Sequence, residues 1–136
     1  MTKAYYFDMD GVLANFHKAY ASNKAVALYR KTMATLEPFD ANVALVRNMI
    51  AHGENVYILT KAANEQAMLG KMDWLAEFIP EIDEEHFICI VGSGRKVDFI
   101  REDGILVDDD RKNLRSWEKA GFETYFVEEK GATVIF

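Results

Sequence analysis

Cysteine, proline and excess basic charge are all scarce in this chain of 136 residues, and each scarcity excludes something. A single cysteine, Cys89, rules out a disulfide framework and a thiolate metal cluster. It fits a reducing compartment, and a cytoplasmic location is expected. Only 2 prolines and 8 glycines exclude collagen-like and low-complexity content. A net charge of −6 excludes an extended footprint for nucleic acid, so any phosphate site must be local. No apolar run approaches the roughly 20 residues of a membrane span, and Met1-Thr2-Lys3-Ala4 lacks the layout of a signal peptide. Neither a membrane nor an export route is expected. The length suits one domain spanning residues 1–136, without separate cofactor and substrate lobes.

What is present is a rhythm. Short apolar runs at Ala4 to Phe7, Val56 to Leu59, Phe87 to Val91, Ile105 to Val107 and Thr124 to Val127 read as strands. Helical faces lie among them. Val43, Val46 and Ile50 precede Gly53; Met68, Met72, Leu75 and Ile79 precede Pro80; Leu114, Trp117 and Ala120 precede Gly121. Strands that are continuously apolar, rather than alternating, need cover on both faces. The expected fold is therefore α/β, a three-layer α/β/α Rossmann-like sandwich around a mostly parallel sheet. Between Leu13 and Pro38 one or two helices, with a break at Ser22-Asn23, form a small insert after the first strand. It is long enough for part of it to lie over a site, as a reduced cap. Trp74 and Trp117 read as core anchors, Cys89 as a buried inert thiol and His17 as a surface residue.

In such sheets ligands bind beyond the carboxyl ends of the strands. Those ends carry Asp8 and Asp10, then Thr60 and Lys61, then Gly92-Ser93-Gly94-Arg95-Lys96, and last Asp108-Asp109-Asp110. Carboxylates two residues apart at a strand end point the same way, with Met9 turned into the protein. Several carboxylates in one crevice repel one another unless a cation sits among them, and all-oxygen donors favour a hard ion, Mg²⁺. Thr60 and a lysine would bind the remaining oxygens of a phosphoryl group. Gly11, Gly92 and Gly94 would bring free N–H donors close to it. Alone, Thr60 would read as the N-cap of the following helix. The ensemble describes phosphoryl transfer.

The run Asp8-Met9-Asp10-Gly11-Val12-Leu13-Ala14 resembles the first motif of the haloacid dehalogenase superfamily of phosphohydrolases. Thr60, Lys96 and Val107-Asp108-Asp109 with Asn113 follow in the order of its other three motifs. Within the superfamily the chain is most similar to the 5'(3')-deoxyribonucleotidases, through Phe16, which would line a nucleoside pocket, and through Lys71-Met72-Asp73-Trp74-Leu75. The resemblance makes Lys71 a second candidate for the phosphate and places Lys61 where those enzymes usually have serine. It implies Asp8 as nucleophile and Asp10 as general acid and base. It implies Mg²⁺ on Asp8, Asp109, Asp108 and the carbonyl of Asp10, and a small phosphorylated substrate, a nucleotide first. Alternatives are another small phosphate ester, a polynucleotide phosphate end, a response-regulator receiver domain and a catalytically idle phosphate-binding domain. A receiver carries its acidic pair before its phosphorylated Asp, whereas here Asp-x-Asp comes first.

Overall fold

The structure, a computed structural model, describes residues 3–136. Five strands, β1 (Ala4–Phe7), β2 (Val56–Ala62), β3 (Phe87–Val91), β4 (Gly104–Asp108) and β5 (Thr124–Phe126), form one sheet in the order β3-β2-β1-β4-β5. Every neighbouring pair is parallel, so the expected mostly parallel sheet is wholly so.

Pleating sends successive side chains of each strand to opposite faces, and here both faces are apolar. Phe7, Ile58 and Val107 pack on one face with Val46 and Trp74; Tyr6, Leu59 and Leu106 pack on the other with Leu114 and Trp117. Helices α3 (Asp40–Ala51) and α4 (Glu65–Phe78) cover the first face and α5 (Arg111–Lys119) the second, giving the three layers. Strand order explains this division. The chain steps from β1 to β2 to β3 in one direction and from β4 to β5 in the other, and right-handed crossovers in opposite directions cover opposite faces. The reversal lies between β1 and β4, where the crevice of a doubly wound sheet opens. From β3 to β4 the chain makes only a single 3₁₀ turn (Lys96–Phe99), which lies at that crevice.

The insert after β1 comprises α1 (Phe16–Ser22), a 3₁₀ turn (Lys24–Leu28) and α2 (Arg30–Ala34). The break falls at Asn23, whose side chain accepts from the Ala25 N–H at 3.0 Å. Helix α2 lies hard against α4. A Cβ on Gly70 would stand 2.5 Å from the carbonyl oxygen of Arg30 and 2.7 Å from Cβ of Met33. Around that contact Arg30 grips Asp73 with two hydrogen bonds of 2.7 and 3.0 Å, Trp74 Nε1 donates to the Leu36 carbonyl at 2.8 Å, and Asn64 Nδ2 to that of Leu28 at 3.2 Å.

Three sequence expectations are corrected here. The buried stripe of α4 runs through Ala67, Gly70, Lys71, Trp74 and Leu75, while Met72 is exposed, because the helix turns a glycine and a lysine inward. Asn64, not Thr60, caps α4, accepting from the Ala67 N–H at 2.8 Å. Cys89 is half-buried rather than fully enclosed, and burial pushes its thiol up. Both tryptophans are fully buried, as expected.

Candidate active site

Asp8 follows β1 and Asp108 ends β4, so the neighbouring strands that flank the crevice bring two carboxylates together. One carboxylate oxygen from each, and one from Asp109, all lie within 4.8 Å of one another. Lys96 comes up from the 3₁₀ turn and donates to Asp8 Oδ1 at 2.7 Å and to Asp108 Oδ2 at 2.9 Å. Asp108 also accepts from Asn113 Nδ2 on α5 and from the Asp110 N–H, each at 3.0 Å. Burial raises the Asp8 carboxyl to about 6 against the pull of Lys96, with Asp10 and Asp109 adding to the rise. Burial and then Asp8 raise Asp108 to about 6 as well. Burial alone would lower Lys96, but the two carboxylates outweigh it and hold the ammonium charged.

Asp10 is turned to a different lysine. Lys71 of α4, only 1% exposed, donates to Asp10 Oδ2 and to Thr60 Oγ1, both at 2.8 Å. Thr60 thus accepts from below and keeps its own hydroxyl hydrogen to donate. Asp10 Oδ1 is buried and has no partner among the described residues. Lys71 therefore sits beneath Asp10 and Thr60, where it positions both.

A cavity of about 510 Å³ opens over these groups, bordered by Asp8, Asp10, Thr60, Lys61, Lys96 and Asp109. Phe16 and His17 of α1 complete one side, and the Phe16 ring stacks on Tyr20 with centroids 5.2 Å apart. Gly11 does not offer the free N–H expected of it: that group donates to the Ala14 carbonyl at 2.9 Å, and the Gly92 N–H donates to Ala62 at 3.0 Å. What Gly11 provides is room. Its φ is +87°, and a Cβ there would lie 2.4 Å from Asp109 Oδ2.

A family model for haloacid dehalogenase-like hydrolases matches residues 2–133. The chain belongs to this family. No curated protein matches it. The hydrolase's sheet order, β3-β2-β1-β4-β5, also differs from the 2-1-3-4-5 order of receiver domains, which removes that rival. No helix among the described residues is long and apolar enough to cross a membrane.

Three groups at the hydrolase's site escaped the sequence reading. Lys130 donates to Asp109 Oδ2 at 2.7 Å from the loop beyond β5. The rule that strand ends face the crevice, applied to the last strand, would have found it. His17 lines the cavity instead of facing solvent, with its Nδ1 buried and unpartnered among the described residues. Asn42 of α3, fully buried, donates to the Val12 and Ala132 carbonyls at 2.9 Å and accepts from the Val134 N–H at 2.8 Å. It clamps the loop carrying Gly11 to the C-terminal segment, and only the folded chain shows that pairing.

The donor set suits a hard divalent cation. Asp8, Asp108 and Asp109 offer oxygen only, and two lysines already balance their repulsion, one of them, Lys130, with its side chain 48% exposed and able to swing aside.

Proposed function

We propose that this hydrolase is a Mg²⁺-dependent phosphatase of small phosphate monoesters, with nucleoside monophosphates as the expected substrates. The observation that supports this best is the division of labour between Asp8 and Asp10. Two carboxylates on one loop are held by two different buried lysines, one beside the acidic cluster and one beneath the cavity floor. Environments that differ so sharply fit carboxylates with different chemical roles.

In this reading the Asp8 oxygen not held by Lys96 attacks phosphorus, and the bond from phosphorus to the ester oxygen breaks. Asp10, which borders the cavity, gives a proton to the departing alkoxide. It then takes a proton from water, whose oxygen attacks the aspartyl phosphate, releasing inorganic phosphate and restoring Asp8. Asp8, Asp108, Asp109 and the Asp10 carbonyl would hold Mg²⁺, which offsets repulsion between an anionic nucleophile and an anionic substrate. Thr60 and Lys96, with Lys61 at the rim, bind the other phosphoryl oxygens. The insert from Leu13 to Pro38 serves as the cap, and Phe16 stacks on the base.

A screen of phosphate release with and without Mg²⁺, over nucleoside monophosphates, sugar phosphates and phosphorylated DNA ends, tests this. Nucleotide hydrolysis that requires Mg²⁺ is the expected result. Preference for a sugar phosphate would overturn the nucleotide assignment, and release undiminished by chelation would overturn the metal's role.

A further inference from the structure

Beside the catalytic cavity lies a second one of about 390 Å³, and Lys61, Lys96, Asp110 and Asn113 border both. Lys61, Arg95, Lys96, Lys112, Arg115 and Lys119 line it, six of the chain's 16 basic residues, against one, Asp110, of its 22 acidic ones. Lys96 is committed to Asp8 and Asp108, and Arg95 to Asp98 at 3.0 Å. Lys61, Lys112, Arg115 and Lys119 form no ion pair among the described residues and are exposed.

Helix stability does not account for this arrangement. Four of the nine residues of α5 are Lys or Arg, and beyond its N-cap Asp110, which accepts from the Lys112 N–H at 2.8 Å, the first turn holds Arg111 and Lys112 with no acidic residue. The other long helices, α3 and α4, place Asp40 and Glu65 there. Arg111, Arg115 and Lys119 stand at four-residue spacing, where like charges repel, and Lys112 adds a third-residue neighbour. A stripe of mutually repelling like charges, on a molecule of net charge −6, opening onto a phosphate chemistry site, is the pattern of a ligand contact.

We propose that this trough binds a second phosphate of the substrate, beyond the one that is cleaved. The inference rests on the phosphatase reading and narrows its substrate class to esters carrying another phosphate, whether a small bisphosphate or a phosphorylated strand end. Lys112 to Lys119 spans about 10 Å by the helical rise, so the stripe reaches well past a single scissile group. The fork of Arg115 suits phosphate oxygens, with Lys119 as a point charge beside it. The base and the second phosphate would part at Lys61, which borders the catalytic cavity, the trough and the aromatic side with Phe16 and Tyr20.

The test compares kcat/KM for para-nitrophenyl phosphate, a nucleoside 5'-monophosphate, a nucleoside 3',5'-bisphosphate and a short 5'-phosphorylated oligonucleotide, in the wild type and in the double variant Arg115→Gln, Lys119→Gln. At least one of the last two substrates should exceed the monophosphate by about tenfold, and the double variant should erase that advantage while leaving para-nitrophenyl phosphate unchanged. The advantage should also shrink as salt rises. Which of the two benefits identifies the source. Equal rates on monophosphate and both doubly charged substrates, or equal loss on all four in the variant, would overturn the proposal. Calorimetric binding of the bisphosphate and of the oligonucleotide to Asp8→Asn protein, with and without the two trough substitutions, separates this from the chemistry. Binding of either one weakened about tenfold by the substitutions supports the trough even without turnover, and unchanged or undetectable binding of both refutes it.

Discussion

Lys96 Nζ stands 2.7 Å from Asp8 and 2.9 Å from Asp108, so one buried ammonium serves carboxylates from two adjacent strands. Removing it strands both. Lys96→Met should lower stability by about 3 kcal/mol, read from urea unfolding of metal-free protein, since breaking a buried ion pair leaves uncompensated charge. Arg30→Gln, which breaks a solvent-screened pair with Asp73, should shift the urea midpoint far less. Similar losses in the two variants would show that the lysine does not balance the cluster.

Asp8→Asn should reduce phosphate release by about a thousandfold or more, because an amide cannot accept the phosphoryl group. The melting temperature should stay within a few degrees, as the amide oxygen still accepts from Lys96. Chelation of the wild type should give the same loss, reversed by Mg²⁺. Substantial turnover by the variant would exclude a covalent aspartyl intermediate.

At Gly11 the neighbour matters more than the backbone. Both Gly11 and Gly53 have positive φ, +87° and +83°, but a Cβ on Gly53 meets nothing within 4 Å. Gly53→Ala should therefore show only left-handed strain, about 1 kcal/mol. Gly11→Ala adds a clash with Asp109 and should raise the Mg²⁺ concentration for half-maximal activity about tenfold, measured by titrating the metal. Equal Mg²⁺ dependence in the two variants would separate Asp109 from the metal.

Phe16→Ala should raise KM for nucleoside monophosphates about tenfold, equivalent to about 1.4 kcal/mol, with little change for para-nitrophenyl phosphate. Steady-state kinetics on both substrates decide it. A parallel loss would mean that Phe16 shapes the phosphate site and not a base pocket.

Far from the crevice, the Tyr57 hydroxyl donates to Glu102 at 2.7 Å, and burial together with that carboxylate raises it from 10.0 to about 12. The unfolded chain loses this proton near pH 10 and the folded one only later, so the stability it provides is complete below pH 10 and declines toward pH 12. Urea midpoints across that range should fall for the wild type and fall less for Tyr57→Phe.

The sheet and the acidic centre were legible because each rests on a local signal: continuous apolar runs for β1 to β4, and carboxylates at their carboxyl ends. Asp8, Asp108 and Lys96 come together as strand order requires. Lys71 was harder. Its place in the sequence suggested a phosphate ligand, but a helix period cannot tell an inward lysine from an outward one, and only packing against α2 shows it beneath Asp10. The same packing explains why Met68 and Met72, the better hydrophobic pattern, were left at the helix edge. Lys130 and Asn42 act across the chain, on partners with no sequence proximity to advertise them. At Gly11 the sequence suggests a free N–H, whereas in the structure that N–H is taken by Ala14 and the missing side chain is what makes room for Asp109.

The contact between Gly70 and the Arg30 carbonyl bears on how the enzyme works in time. With the two backbones this close and Arg30 gripping Asp73, the insert cannot lift without dragging α4, and α4 holds Lys71 under Asp10 and Thr60. On the proposed mechanism, lifting this part of the insert would disturb the lysine beneath Asp10 and Thr60, so the insert would act as a fixed wall and substrate and product would pass through a standing aperture. Phosphate release in a single turnover should then run at the steady-state rate, with no separate opening step.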